Sequence, residues 1–117
     1  LSMPGSVDSI PGKGNAEDHV SNSMWCSQKA RQVIDNLRSI VSVELLVGAQ
    51  AISMVEEISA DHPLAPATTA VMERIREDIP ARLEGDLWYA KDMHAIAELV
   101  GTGAVMTACE AVTGALE

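Results

Sequence analysis

The sequence contains no phenylalanine, and aromatic residues make up only 3% of its 117 positions. A core must therefore be built from Ala, Val, Ile, Leu and Met within a hydrophobic content of 47%, which suits close helix packing better than a sheet sandwich. Basic residues are also scarce. Eight Lys and Arg face 17 Asp and Glu, for a net charge of −9 and a pI near 4.6. Such a surface repels phosphate backbones and anionic lipid headgroups, which argues against nucleic acid and membrane surfaces as partners. Two cysteines, Cys26 and Cys109, lie far apart with no CxxC, so reduced, partly buried thiols are expected rather than a disulfide framework. No uninterrupted apolar run reaches the ~20 residues of a membrane span, and no signal-peptide pattern is present, so the expected compartment is the cytoplasm. His19, His62 and His94 form no HExxH or comparable pair, and no metal site is expected. GxSxG, GxxxxGK[ST] and GxGxxG are missing as well, which removes support for hydrolase-elbow and nucleotide chemistry.

What is present begins with a loop. Residues 1–15 hold two prolines and three glycines, a composition that cannot sustain a helix. Val33, Leu37, Val41, Leu45, Ala49 and Ile52 then recur at steps of three or four, and Ile34, Ile40 and Val47 widen the stripe. This periodicity predicts one long helix from about Ser21 to Ile58, with Asp18, Ser21 or Ser23 available as its cap. Within it, SIVSVELLVGAQAISM (Ser39–Met54) is apolar nearly all round, and a helix of that kind is normally covered on every face. A chain of this size is too short to supply the cover, so either several chains assemble around it or further protein is needed. Glu44, in the middle of that stretch, is expected to find an inter-helix partner. Gly48 is expected to admit a neighbouring backbone.

Pro63 and Pro66 break the pattern, with Pro66 fitted to a first helical turn. Shorter helices are expected over about Ala67–Ile79, after a cap at Asp86 or Asp92 to about Gly101, and over about Thr102–Ala115. The predicted fold is all-α: a loop over 1–17, a long buried helix over 18–58 and shorter helices over 59–117, together forming part of a larger helical bundle.

The stretch GKGNAEDHVSNS (Gly12–Ser23) concentrates polar groups just before the long helix. Gly12 and Gly14 let the backbone turn, and Glu17 or Asp18 near a helix start is favoured by the helix dipole. Local physics accounts for Asp18 as helix punctuation. It leaves Lys13, Asn15, Glu17 and His19 displayed on a loop borne by a rigid helix, an arrangement in which catalytic groups concentrate.

These residues carry a resemblance. SMPGSVDSIPGKGNAEDHVSNS followed by ARQVIDNLRSIVSVELLVGAQAI resembles the C-terminal part of the aromatic amino acid ammonia-lyases, the histidine branch in particular. The matching positions are Pro4, Ser6, Asp8 to Pro11, Glu17 to Ser21, Val43 to Leu46, and Gln50. HPLAP and AIAELVGTGAVMTACEAV resemble the family's tail, so the likeness runs over the whole chain. Ala16 departs from the family's usual Gln, and Asn22-Ser23 from Met-Gly.

The resemblance implies a helical, homotetrameric lyase that eliminates ammonia from an aromatic amino acid to give an arylacrylate such as urocanate. It also implies a methylidene-imidazolone electrophile made by cyclising Ala-Ser-Gly, a tripeptide this sequence lacks. The chain is then expected to be inactive alone and to need an N-terminal lyase portion as partner. Its implied catalytic residue is Glu17, with Lys13 and Asn15 as substrate-binding neighbours. A carboxylate at position 17 can pair with an imidazole, which favours histidine as substrate over phenylalanine or tyrosine. An aminomutase is a variant within the same chemistry. The rival from another class is a non-catalytic helical oligomerisation module, a lyase remnant whose apolar helix only assembles.

Overall fold

The computed structural model describes residues 1–55 and 62–115. Four helices follow one another: α1 (Ser23–Met54), α2 (Pro66–Asp78), α3 (Ala90–Gly101) and α4 (Ala104–Thr113). Among the described residues the only β-type pairing is a single antiparallel bridge between Pro11 and His19. The architecture is all-α, as the composition predicted. The chain divides into two compact units, Leu1–Leu37 and Arg38–Glu117.

The first unit joins the N-terminal loop to the start of α1. That helix begins at Ser23, close to the expected start at about Ser21 and later than the boundary drawn at 18, because residues 18–20 are engaged in loop pairing. The Val20 N–H donates to the Ile10 carbonyl at 3.2 Å, and the Ser9 hydroxyl donates to the Val20 carbonyl at 2.5 Å. The N-cap position falls to Asn22, whose carbonyl accepts the Cys26 N–H at 2.9 Å. Its backbone is left-handed, with φ 50°, and its side-chain amide donates back to the Gly5 carbonyl at 3.3 Å. Cys26 is exposed rather than partly buried, while Cys109 is partly buried, and both thiols are free.

The second unit holds the core, in which Leu46 and Ala49 of α1 meet Ile75 of α2, Ile79 just beyond it and Ile96 of α3. Ile75 and Ile96 are almost wholly enclosed, at 1% and 0% exposure. α2 packs chiefly against α4. Pro66 opens α2 at its first turn as the sequence predicted, and the helix stops at Asp78 ahead of Pro80. α3 starts at Ala90 without a side-chain cap, so Asp92 lies inside the first turn and is not the expected capping residue. Asp92 is instead buried, its Oδ2 3.0 Å from Nη1 of Arg82. The Arg82 carbonyl in turn accepts the Gln50 side-chain amide at 2.5 Å. Arg76 makes a second cross-tie. Its Nη2 donates to the Ala49 carbonyl at 2.7 Å and to the Ser53 hydroxyl at 2.8 Å, and its Nη1 to the Ile79 carbonyl at 3.1 Å.

Full burial in α1 is confined to Ser42, Leu46 and Ala49, with Val41, Leu45 and Ile52 half-buried. Ile40, Val47 and Met54 remain 64%, 61% and 63% exposed. Glu44 is exposed and makes no ion pair with a described residue, against the expected inter-helix partner, because the described residues leave the helix face that carries it open. At Gly48, where a neighbouring backbone was expected, a Cβ would meet no described atom within 4 Å beyond its own stretch of helix. By length and composition α1 could cross a membrane, with a window of mean hydropathy 1.3, so the helix meets a test that shorter uninterrupted runs within it do not. The expected helix end at Ile58 lies outside the described residues.

Candidate active-site loop

The three candidate residues lie on one loop of the first unit. Its base is the Pro11–His19 bridge, continued by the Gly12 N–H donating to the Asp18 carbonyl and the Glu17 N–H to the Gly12 carbonyl, both at 3.4 Å. At the tip, Lys13, Gly14 and Asn15 form one short turn. All three hold positive φ, at 45°, 59° and 69°. Three consecutive left-handed residues reverse the chain sharply. Gly14 does so freely and Asn tolerates it, whereas Lys13 does so at a steric cost. The Ala16 N–H closes the turn on the Lys13 carbonyl at 3.2 Å.

Lys13, Asn15 and Glu17 are all exposed. Glu17 does not project away from the loop; its side chain lies back on Gly12. A Cβ built on Gly12 would stand 2.8 Å from Glu17 Oε2 and 3.4 Å from Glu17 Cβ. His19 is a rung of the bridge and Asp18 supplies the carbonyl that holds Gly12, so both are structural members of the loop base. A catalytic carboxylate works best in partly dry surroundings, such as a loop packed under neighbouring helices supplies. Here Glu17 stands in solvent, because the described residues supply no cover over this loop. The contribution of Gly12 went unread: the sequence marks it as a turn glycine, whereas its backbone is extended, with φ −73°.

Chemically, the loop offers the Glu17 carboxylate, able to accept hydrogen bonds from a cationic or N–H-bearing group, with the Lys13 ammonium, the Asn15 amide and the Asp18 carboxylate on the same loop. No cluster of three or more His, Cys, Asp or Glu able to hold a metal occurs among the described residues. In the second unit an open apolar groove of about 420 Å³ runs along Val41, Leu45, Ala49, Val71, Met72 and Ile75, with Glu44 and Cys109 on its wall.

The chain as a whole has counterparts among known proteins. Residues 1–77 match the family model for aromatic amino acid lyases, and the chain belongs to that family. Over its full length it is 49% identical to a histidine ammonia-lyase of Symbiobacterium thermophilum, of which it spans 22%. It is also 40% identical over 101 residues to a histidine ammonia-lyase of Burkholderia vietnamiensis, covering 86% of this chain and 19% of that protein. In three dimensions it superposes on a tyrosine aminomutase of Streptomyces globisporus with a TM-score of 0.82 and 30% identity, covering 97% of this chain and 21% of that one. The chain thus spans about a fifth of the length of the proteins it matches.

Proposed function

We propose that this chain is the C-terminal portion of a cytoplasmic histidine ammonia-lyase that eliminates ammonia from histidine to give urocanate, and that Glu17 is its contribution to the active site. Family membership supports the lyase class, and the relatives named histidine ammonia-lyase support the substrate. The observation that carries the site is the loop itself, in which the Glu17 N–H donates to the Gly12 carbonyl and the Gly12 N–H to the Asp18 carbonyl, while the Glu17 carboxylate stays open to a ligand. Glu17 accepts a hydrogen bond from the substrate imidazole or ammonium and so orients it, and it can hold a proton at its carboxylate oxygen during elimination. Lys13 and Asn15 stand beside it as contacts for the substrate's polar groups.

The family's electrophile is a methylidene-imidazolone, which makes the ammonia a better leaving group. The residues of this chain do not fit its formation, because Ala-Ser-Gly does not occur in the sequence. That group and the substrate base belong to the N-terminal lyase portion, and the chain alone is inactive. The complete enzyme is a homotetramer in which the uncovered faces of α1 are buried. Exposed Ile40, Val47 and Met54 favour assembly equally in the rival reading, a helical oligomerisation module without activity. The experiment that separates them is urocanate formation, followed by absorbance, in the complete enzyme bearing Glu17→Gln. Turnover is expected to fall by roughly 10²-fold or more with the assembled mass unchanged. Undiminished turnover would remove Glu17 from the site.

A further inference from the structure

We infer that Gly12 is a positioning residue, whose missing side chain decides where the Glu17 carboxylate sits. This depends on Glu17 acting at the active site. The backbone of Gly12 is extended, at φ −73° and ψ 161°, a conformation open to any residue, so glycine is not required there by the turn. What distinguishes the position is the space above it. A Cβ on Gly12 would stand 2.8 Å from Glu17 Oε2, with Glu17 Cδ at 3.8 Å. The first distance is a collision, and the group that must yield is the free end of the Glu17 side chain.

The two residues are held in register by the Glu17 N–H donating to the Gly12 carbonyl at 3.4 Å. The carboxylate is therefore displaced relative to a backbone that stays in place. Gly14 provides the contrast. Its φ of 59° is what favours glycine there, and nothing lies within 4 Å of its Cβ direction. The two glycines of one loop thus divide the work, Gly14 setting the turn and Gly12 setting the carboxylate.

The test is a double-mutant cycle in the complete enzyme, combining Gly12→Ala with Glu17→Ala and reading kcat, KM and the thermal midpoint. Gly12→Ala alone is expected to lower kcat/KM by roughly ten- to a hundredfold, as a small misplacement of a reacting group does, with an unshifted thermal midpoint. In the Glu17→Ala background the same change is expected to have no further effect, because no carboxylate remains to be displaced. Equal losses in both backgrounds, or a loss that tracks a lowered midpoint, would show that Gly12 acts through the loop fold and overturn the inference, leaving Glu17 in its role. A Glu17→Ala enzyme with full activity would overturn both the inference and the role of Glu17.

Discussion

Lys13, Gly14 and Asn15 show what a turn of three left-handed residues costs and which member bears it. An L-residue in this region is disfavoured by about 1–2 kcal/mol, which Gly14 avoids at φ 59° and Lys13 does not at φ 45°. Gly14→Ala is therefore expected to destabilise the protein by about 1 kcal/mol, seen as a lowered thermal midpoint, while KM and kcat measured well below that midpoint stay near their original values. A large loss of kcat at unchanged stability would mean that the tip itself contacts substrate. At this scale the sequence was informative about membership of the loop: Lys13, Asn15 and Glu17 do share it. It was silent on the contact between Gly12 and Glu17, because a side chain folding back across five positions leaves no periodic trace. It was equally silent on the exposure of Glu17, since enclosure depends on what lies over the loop and not on the loop.

The helices repeat this division between what local pattern encodes and what tertiary contact decides. The apolar spacing of α1 and the proline at the head of α2 were both legible, because each acts within a turn or two of itself. Asp92 was not, since a carboxylate near a helix start reads as a cap until a partner across the fold is known. Its pairing with Arg82 inside the second unit makes a different prediction from capping. Asp92→Ala leaves a half-exposed Arg82 without its anion and is expected to cost about 2 kcal/mol in urea unfolding. A loss of a few tenths would restore the minor role of a surface pair.

Arg76 offers a complementary test. Burial lowers its pKa from the ordinary guanidinium value, so the unfolded chain binds that proton more tightly and stability would rise with pH only in the alkaline range where arginine titrates. Through neutrality the group is charged in both states. Arg76→Met, which removes the three hydrogen bonds to Ala49, Ser53 and Ile79, is expected to cost about 2–4 kcal/mol by an amount that does not vary through the neutral range. A penalty that changes between mildly acidic and mildly alkaline buffers would assign the effect to another titrating group.

For the whole molecule, the informative contrast lies between the enclosed core of the second unit and the apolar face of α1 that the described residues leave bare. Ile75 and Ile96 are sealed, whereas Ile40, Val47 and Met54 are each more than 60% exposed and recur every seven residues along one helix. Fully covering such side chains is worth about 1.5–3 kcal/mol each, enough to drive association, while the net charge of −9 opposes the approach of identical surfaces unless the fit is specific. The sequence showed that this helix needs cover, because its apolar residues run nearly all round it. The described residues do not supply that cover, and the chain spans about a fifth of the length of the relatives it matches. If the face is an assembly surface, Ile40→Glu together with Val47→Glu in the complete enzyme places two carboxylates in an interface without touching the Ile75–Ile96 core. Light scattering is then expected to show the assembled mass falling to that of smaller species, circular dichroism to show the helices retained, and urocanate formation to be lost with the assembly. Retained mass and activity would mean that this face stays in solvent in the complete enzyme. Loss of helix would mean that the cover comes from the same polypeptide and is required for it to fold.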